Sequence, residues 1–351
     1  NIVEKFSQSR SQNYEITAER ELCKRSNNMP KIYITRKIPE SGINLLKENG
    51  FEVVVNPEDK VLTRDELISA LNGQNYDAVL CLLTDKIDND VFNAVGKQCK
   101  IFANYAVGYD NIELASAKLH EIIITNTPDV LTETVAEHTI SLILSISYRI
   151  AEADKFIREG KYHGWEPMLL LGDDFSHKTL GIIGLGRIGL RVAYHAYNGF
   201  NVKIIYYDVK RNENFETEFN AEYKETIDDL LKNADYVSLH LPLLDSTRHI
   251  INKERLSLMK PNSYFINTSR GPIIDEEALV AALKNKTIKG AALDVFENEP
   301  RLVPGLSELN NVILTPHIAS ATISTREKMS SLAAENIIAV RGGKEALNPV
   351  K

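Results

Sequence analysis

Cysteine is scarce in these 351 residues: only Cys23, Cys81 and Cys99 occur. Three thiols at such spacings make neither a disulfide framework nor a paired-cysteine metal site. They read as reduced thiols of a cytoplasmic protein, and no metal is expected. Long apolar runs are also lacking. The best candidate, ISLILSISY, falls well short of the roughly 18 residues of a membrane span and is broken by serines. Clustered positive charge is absent too: the net charge is −7 and acids and bases are interspersed. Nucleic-acid or anionic-membrane binding is therefore not expected, because counterion release needs grouped Lys and Arg. No internal repeat and no low-complexity tract is found. The first 28 residues mix acids and bases, carry no apolar h-region and precede Met29. They resemble no targeting peptide and read as an unstructured extension, with Met29 as the natural start.

What remains is the composition of a soluble globular chain, 43% hydrophobic and 25% charged, long enough for two domains. From residue 31 onward, short apolar runs alternate with amphipathic ones. KIYIT, FEVVV, DAVLCLL, IFAN and EIIIT read as strands, with IPESGINLLKENG and DELISALNG as helices between the first of them. This alternation predicts an α/β fold with a parallel sheet covered on both faces. The stretch from Asp129 to Tyr162 reads as one long helix, N-capped by Asp129, that links domains or meets a second subunit. A second alternating series follows: LGIIG, VKIIYYD, YVSLHLP, SYFINTSRG, AALDVF and NVILTP. The stretch TISTREKMSSLAAENIIAVRGG is a terminal helix that ends on a glycine pair.

The sequence GLGRIG, residues 184–189, follows the apolar run LGII and opens an amphipathic pattern. Asp208 closes the next apolar run about 20 residues further on, where a dinucleotide fingerprint places its acid. Each glycine has its own task. Gly184 permits a tight turn, Gly186 lets a pyrophosphate approach the backbone, and Gly189 allows close helix–strand packing. The helix N-terminus offers N–H groups and partial positive charge to phosphates. Asp208 suits the adenosine ribose hydroxyls and repels a 2′-phosphate, which favours NADH over NADPH. Lys210 and Arg211 keep a phosphate-accepting loop open.

Three polar residues lie at the ends of later strand candidates: Arg270 in NTSRG, Glu299 in DVFENEP and His317 in TPHIAS. Ligands of a parallel sheet bind outside the carboxyl ends of its strands, so the three converge on one crevice. Hydride delivery to a carbonyl carbon leaves charge on oxygen that a proton donor must quench. Histidine is the side chain whose ordinary pKa lies near neutrality, so His317 suits that task. Glu299 beside it favours the imidazolium and fixes its tautomer. Arg270 offers a forked pair of donors to a carboxylate. The substrate class that follows is a small 2-oxo acid.

These motifs, in this order, resemble those of the D-isomer-specific 2-hydroxyacid dehydrogenases over residues 29–349. GLGRIG, NTSRG (residues 267–271), DVFENEP (residues 294–300) and PHIASAT (residues 316–322) match the family's pattern, with Ala319 where many members have glycine. The resemblance implies Arg270, Glu299 and His317 as the catalytic set, with substrate carboxylate contacts also from the Val107 and Gly108 amides. It implies cofactor contacts at Gly184, Gly186, Arg187, Ile188, Gly189, Asp208, Leu241, Thr268, Ser269, Arg270, Asp294, His317 and Ser320. It further implies two Rossmann-like domains joined by long helices: a discontinuous substrate domain, residues 29–128 and 317–351, and an NAD-binding domain, residues 129–316. The family typically forms homodimers. YITRKIPESGINLLKENG and ANYAVGYDNI are most similar to glyoxylate/hydroxypyruvate reductases. Phosphoglycerate or phosphite dehydrogenation, and an NADH-sensing, co-repressor-like binding role, stay open as alternatives.

Overall fold

The computed structural model describes residues 29–350; the first 28 residues, with Cys23, lie outside the described residues. Two compact units emerge. Of the described residues, 29–130 together with 323–350 form one, and Leu131–Thr322 the other. Each crossing runs directly into a helix, Thr132–Ser147 or Ile323–Arg341.

The first unit holds five parallel strands: β1 (Lys31–Ile34), β2 (Glu52–Val55), β3 (Ala78–Cys81), β4 (Ile101–Asn104) and β5 (Ile123–Thr125), in the order β2-β1-β3-β4-β5. β3 and β4 are buried at every position, as central strands covered on both faces must be. Four helices connect the strands: α1 (Glu40–Glu48), α2 (Arg64–Leu71), α3 (Asn89–Val95) and α4 (Leu114–Leu119). α2 opens with a capping box in which Thr63 and Glu66 satisfy each other's backbone N–H. The C-terminal helix Ile323–Arg341 returns to this unit and closes on α1. There the Gly42 amide donates to Ser330 Oγ at 3.1 Å, and that hydroxyl donates to the Pro39 carbonyl at 2.7 Å.

The second unit holds seven parallel strands: β6 (Thr179–Ile183), β7 (Lys203–Tyr207), β8 (Glu222–Tyr223), β9 (Tyr236–Leu239), β10 (Tyr264–Asn267), β11 (Gly290–Leu293) and β12 (Val312–Leu314). Their order is β12-β11-β10-β9-β6-β7-β8. The order reverses between β6 and β9, which makes the mouth between them the topological switch point of a doubly wound sheet. Successive residues of each strand face opposite layers. Leu180, Ile182, Ile204 and Tyr206 pack with Ala136, Ile143, Val192 and Ala196. Ile183, Ile205, Val237 and Leu239 pack with Leu230, Leu279 and Leu283 on the other side. The helices of this unit are α5 (Thr132–Ser147), α6 (Ile150–Arg158), α7 (Arg187–Phe200), α8 (Glu213–Phe219), α9 (Ile227–Asn233), α10 (Lys253–Leu256) and α11 (Glu276–Lys284); α12 is the Ile323–Arg341 helix of the first unit.

Two expectations need correction here. The segment after Asp129 is two helices, not one. The Ser147 carbonyl is taken by the Asp173 amide at 3.0 Å instead of continuing the helical ladder, and Arg149 turns left-handed at φ 56°. Arg149 then restarts the chain with a forked pair to Glu152, both bonds 2.7 Å. Nor is Asp129 the N-cap: Leu131 holds that position, and Asp129 is itself left-handed at φ 67°. Cys81 and Cys99 are buried free thiols, and burial pushes both up, Cys99 to about 12. Among the described residues no helix is long and apolar enough to cross a membrane.

Candidate active site

The glycine turn sits at the switch point of the seven-stranded sheet. Gly184 follows β6 directly with φ 95°, and a Cβ there would lie 2.6 Å from the carbonyl oxygen of His240, the residue after β9, and 3.0 Å from the Leu241 side chain. Gly189 lies in the first turn of α7, where a Cβ would come 2.2 Å from the Gly184 carbonyl oxygen. The helix is therefore packed down on the turn more tightly than any side chain allows. Gly186 is different: a Cβ there would meet nothing within 4 Å. It is the N-cap of α7, has extended backbone, and no side chain caps the helix there. An uncapped helix end with open space before it, carrying Arg187 and Ile188 as its first residues, fits a phosphate group.

Asp208 follows β7 directly and is half-buried. Its Oδ2 accepts the Leu185 amide at 2.6 Å, and its Oδ1 accepts the Lys210 amide at 3.2 Å. The acid thus braces the glycine turn. Arg211 is held away on Glu216 by two bonds of 2.8 and 2.7 Å. At the end of β10, Thr268 Oγ1 lies 3.0 Å from Thr139 Oγ1 on α5, and Ser269 bonds back to Asn267 through both its amide and its hydroxyl.

His317 and Glu299 meet: Nδ1 lies 3.1 Å from Glu299 Oε2, with the two side chains 26% and 33% exposed. The other oxygen, Oε1, accepts the Phe296 amide at 3.0 Å. Burial pushes the Glu299 carboxyl up. The hydrogen bond and charge of His317, the Phe296 amide and the charge of Arg270 outweigh that and hold it below the ordinary carboxylate range. Arg270 stands at the entry to a short 3₁₀ turn, Gly271–Ile273, and donates to the Ser269 carbonyl at 2.8 Å.

Asp294 is fully buried at the end of β11 and binds the loop that carries His317. Its Oδ1 accepts the Thr315 hydroxyl at 2.6 Å and the Ile318 amide at 2.9 Å; its Oδ2 accepts the Ala319 amide at 2.8 Å. His138 Nε2 on α5 lies 3.5 Å from Oδ1. Burial pushes this carboxyl up, but His138 and the three donors outweigh it and hold it low. The His317 amide donates to the Asp294 carbonyl at 2.8 Å, with His317 left-handed at φ 53°. Sequence reading had no signal for His138 beyond its place on an apolar helix.

Ser320 sits half-buried two residues beyond Ile318, where its carbonyl accepts the Thr322 amide at 3.1 Å. Val107 and Gly108 belong to the first unit. There Asn126 Nδ2 donates to the Val107 carbonyl and Asn104 Nδ2 to the Gly108 carbonyl, each at 2.8 Å, so their loop is pinned from two strand ends.

The sheet order, glycine turn, uncapped helix and terminal acid define the second unit as a Rossmann dinucleotide-binding domain. Residues 140–319 match the family model described as D-isomer specific 2-hydroxyacid dehydrogenase, NAD binding domain. The chain is 49% identical over 318 residues to a glyoxylate reductase of Thermofilum pendens, covering 90% of this chain and 92% of that one. It is 44% identical to a glyoxylate reductase of Pyrococcus furiosus, covering 90% and 93%. Among solved structures, an NADPH-dependent glyoxylate/hydroxypyruvate reductase from Sinorhizobium meliloti, in complex with NADP and malonate, superposes with a TM-score of 0.80 at 34% identity, covering 92% and 97%. The chain belongs to the D-isomer-specific 2-hydroxyacid dehydrogenase family and is an NAD(P)-dependent oxidoreductase.

Proposed function

We propose that this enzyme reduces glyoxylate and hydroxypyruvate to the corresponding D-2-hydroxy acids, with NADH preferred over NADPH. The observation that carries the reading is the His317–Glu299 pair, 3.1 Å apart, with the charge of Arg270 acting on the same carboxylate. The names of the relatives support the substrate class.

In this reading Gly184, Gly186, Arg187, Ile188 and Gly189 receive the pyrophosphate, and Asp208 receives the adenosine ribose. Leu241, Thr268, Ser269, Asp294 and Ser320 line the rest of the cofactor's path. Bound there, the nicotinamide supplies the hydride. Arg270 holds the substrate carboxylate through its forked donors. His317 passes a proton to the carbonyl oxygen as charge develops on it, and Glu299 keeps the ring oriented with Nδ1 inward. The roles of Val107 and Gly108 at the substrate carboxylate rest on the family resemblance. Asp208 supports NADH, and Arg211 is already engaged by Glu216. A homodimer is part of the proposal, supported by the exposed apolar side chains Tyr148, Ile150, Ile157, Trp165, Met168 and Leu171.

The test is loss of NADH absorbance with glyoxylate, hydroxypyruvate, pyruvate and phenylpyruvate in parallel, with NADPH as comparison. Fast turnover of the first two with NADH supports the reading. Tight NADH binding without turnover of any of the four contradicts it.

A further inference from the structure

Behind the His317–Glu299 pair lies a carboxyl group that the reaction does not use. Glu276 is the first residue of α11 and is 0% exposed. Its Oε1 accepts the Glu297 amide at 2.7 Å, and its Oε2 has no hydrogen-bond partner. The neighbouring amide, that of Phe296, donates to Glu299 Oε1 at 3.0 Å. Two carboxyl groups therefore grip consecutive amides of one loop, and the free oxygen of Glu299 is the one that meets His317.

The surroundings are acidic. Glu297 and Glu299 come from the same loop, and Glu297 returns a carboxylate oxygen to within 3.4 Å of the Glu276 amide. Glu297 is in turn met by His249 from the loop before Ile251, at 2.5 Å. Arg270 and His317 act on Glu299, while Asp275 and Glu277 flank Glu276 on its own element. A helix N-terminus favours an anion. Here that preference is overcome. Burial, with the charges of Glu297 and Glu299, outweighs the Glu297 amide and pushes the Glu276 carboxyl up to about 7. An ionised oxygen without a partner in a dry site is far more costly than a neutral hydroxyl.

We propose that Glu276 is a positioning residue acting as a neutral acid: it fixes the 296–297 peptide, and through it Glu299 against His317, and its ionisation releases that loop. This rests on the roles proposed for Glu299 and His317. The step is simple loss of a proton from the carboxylic acid to solvent, adding a third negative charge beside those of Glu297 and Glu299.

Glu276→Gln keeps a neutral side chain of the same shape, and Glu276→Ala removes the grip. With glyoxylate and NADH at pH 6, the Gln variant should turn over within about twofold of wild type and the Ala variant at least about tenfold more slowly. Above neutrality log kcat/KM of wild type should fall more steeply than that of the Gln variant, by one unit of slope, the extra proton being that of Glu276. Identical slopes, or a Gln variant as slow as Ala at pH 6, would overturn the proposal. A second arm needs no turnover. The difference in melting temperature between Gln variant and wild type should widen in favour of Gln from pH 5 to pH 7, then stay level. A constant difference overturns the neutral-acid assignment. If no 2-oxo acid is reduced by any of the proteins, the functional reading fails alone and the melting arm still decides the state of Glu276.

Discussion

Asp294→Asn keeps the size of a fully buried side chain and removes half of its accepting capacity. In the native site both oxygens accept, from the Thr315 hydroxyl and Ile318 amide on one side and from the Ala319 amide on the other. The carboxamide will turn its oxygen toward the side with two donors, which leaves its NH2 facing the Ala319 N–H. One buried amide is then unpaired, at a cost of about 1–3 kcal/mol. The two remaining bonds lose charge assistance, roughly 1 kcal/mol each. A total of about 3–5 kcal/mol corresponds to a drop of roughly 6–20 °C in melting temperature for a unit of this size. The loop that shifts carries His317, and a displacement of about 1 Å there lowers kcat by around 100-fold. Thermal unfolding followed by circular dichroism, together with steady-state kinetics on the soluble variant, measures both. A variant that melts within a degree of wild type and keeps its kcat would refute the bracing role of Asp294.

Arg270→Lys retains the charge but not the fork; KM for glyoxylate should rise about 10–100-fold while KM for NADH stays within twofold, measured by varying each substrate in turn. Gly189→Ala places a Cβ 2.2 Å from a carbonyl oxygen, so α7 must lift off the turn; a loss of about 2–4 kcal/mol and weaker NADH binding by fluorescence titration are expected. For Glu276, the folded value of about 7 lies above the ordinary 4.5, so the fold binds the proton more tightly than the unfolded chain does. Its cost is absent well below pH 4.5, grows by roughly 1.4 kcal/mol per pH unit between the two values, and levels off near 3 kcal/mol above pH 7.

The strand–helix alternation, the glycine turn and the His317, Glu299 and Arg270 positions were legible because each is written in a short local pattern. Apolar period, turn residue and strand-end placement need no distant partner to be read. The features that escaped depend on partners far along the chain. α5 ends because Asp173, 26 residues beyond Ser147, captures its carbonyl. Nothing in ISYRIAE announces that. The two-residue strand β8 exists only through pairing with β7 and is too short to show a period. The resemblance implied a cofactor contact at Asp294, but nothing local shows that its oxygens close on Thr315, Ile318 and Ala319, more than 20 residues away. Nothing in the sequence around Glu276 singles it out. Its burial against the 294–300 loop, not its place in α11, gives it its properties.

The central claim is that His317, set by Glu299, delivers the proton in an NADH-linked reduction of a small 2-oxo acid. The most direct measurement is single-turnover oxidation of NADH by glyoxylate in wild type and His317→Asn, with NADH affinity measured on both proteins. Rapid oxidation by wild type, a rate lower by about 100- to 10,000-fold in the variant, and NADH affinity changed little are expected. Oxidation at the wild-type rate by His317→Asn would contradict it.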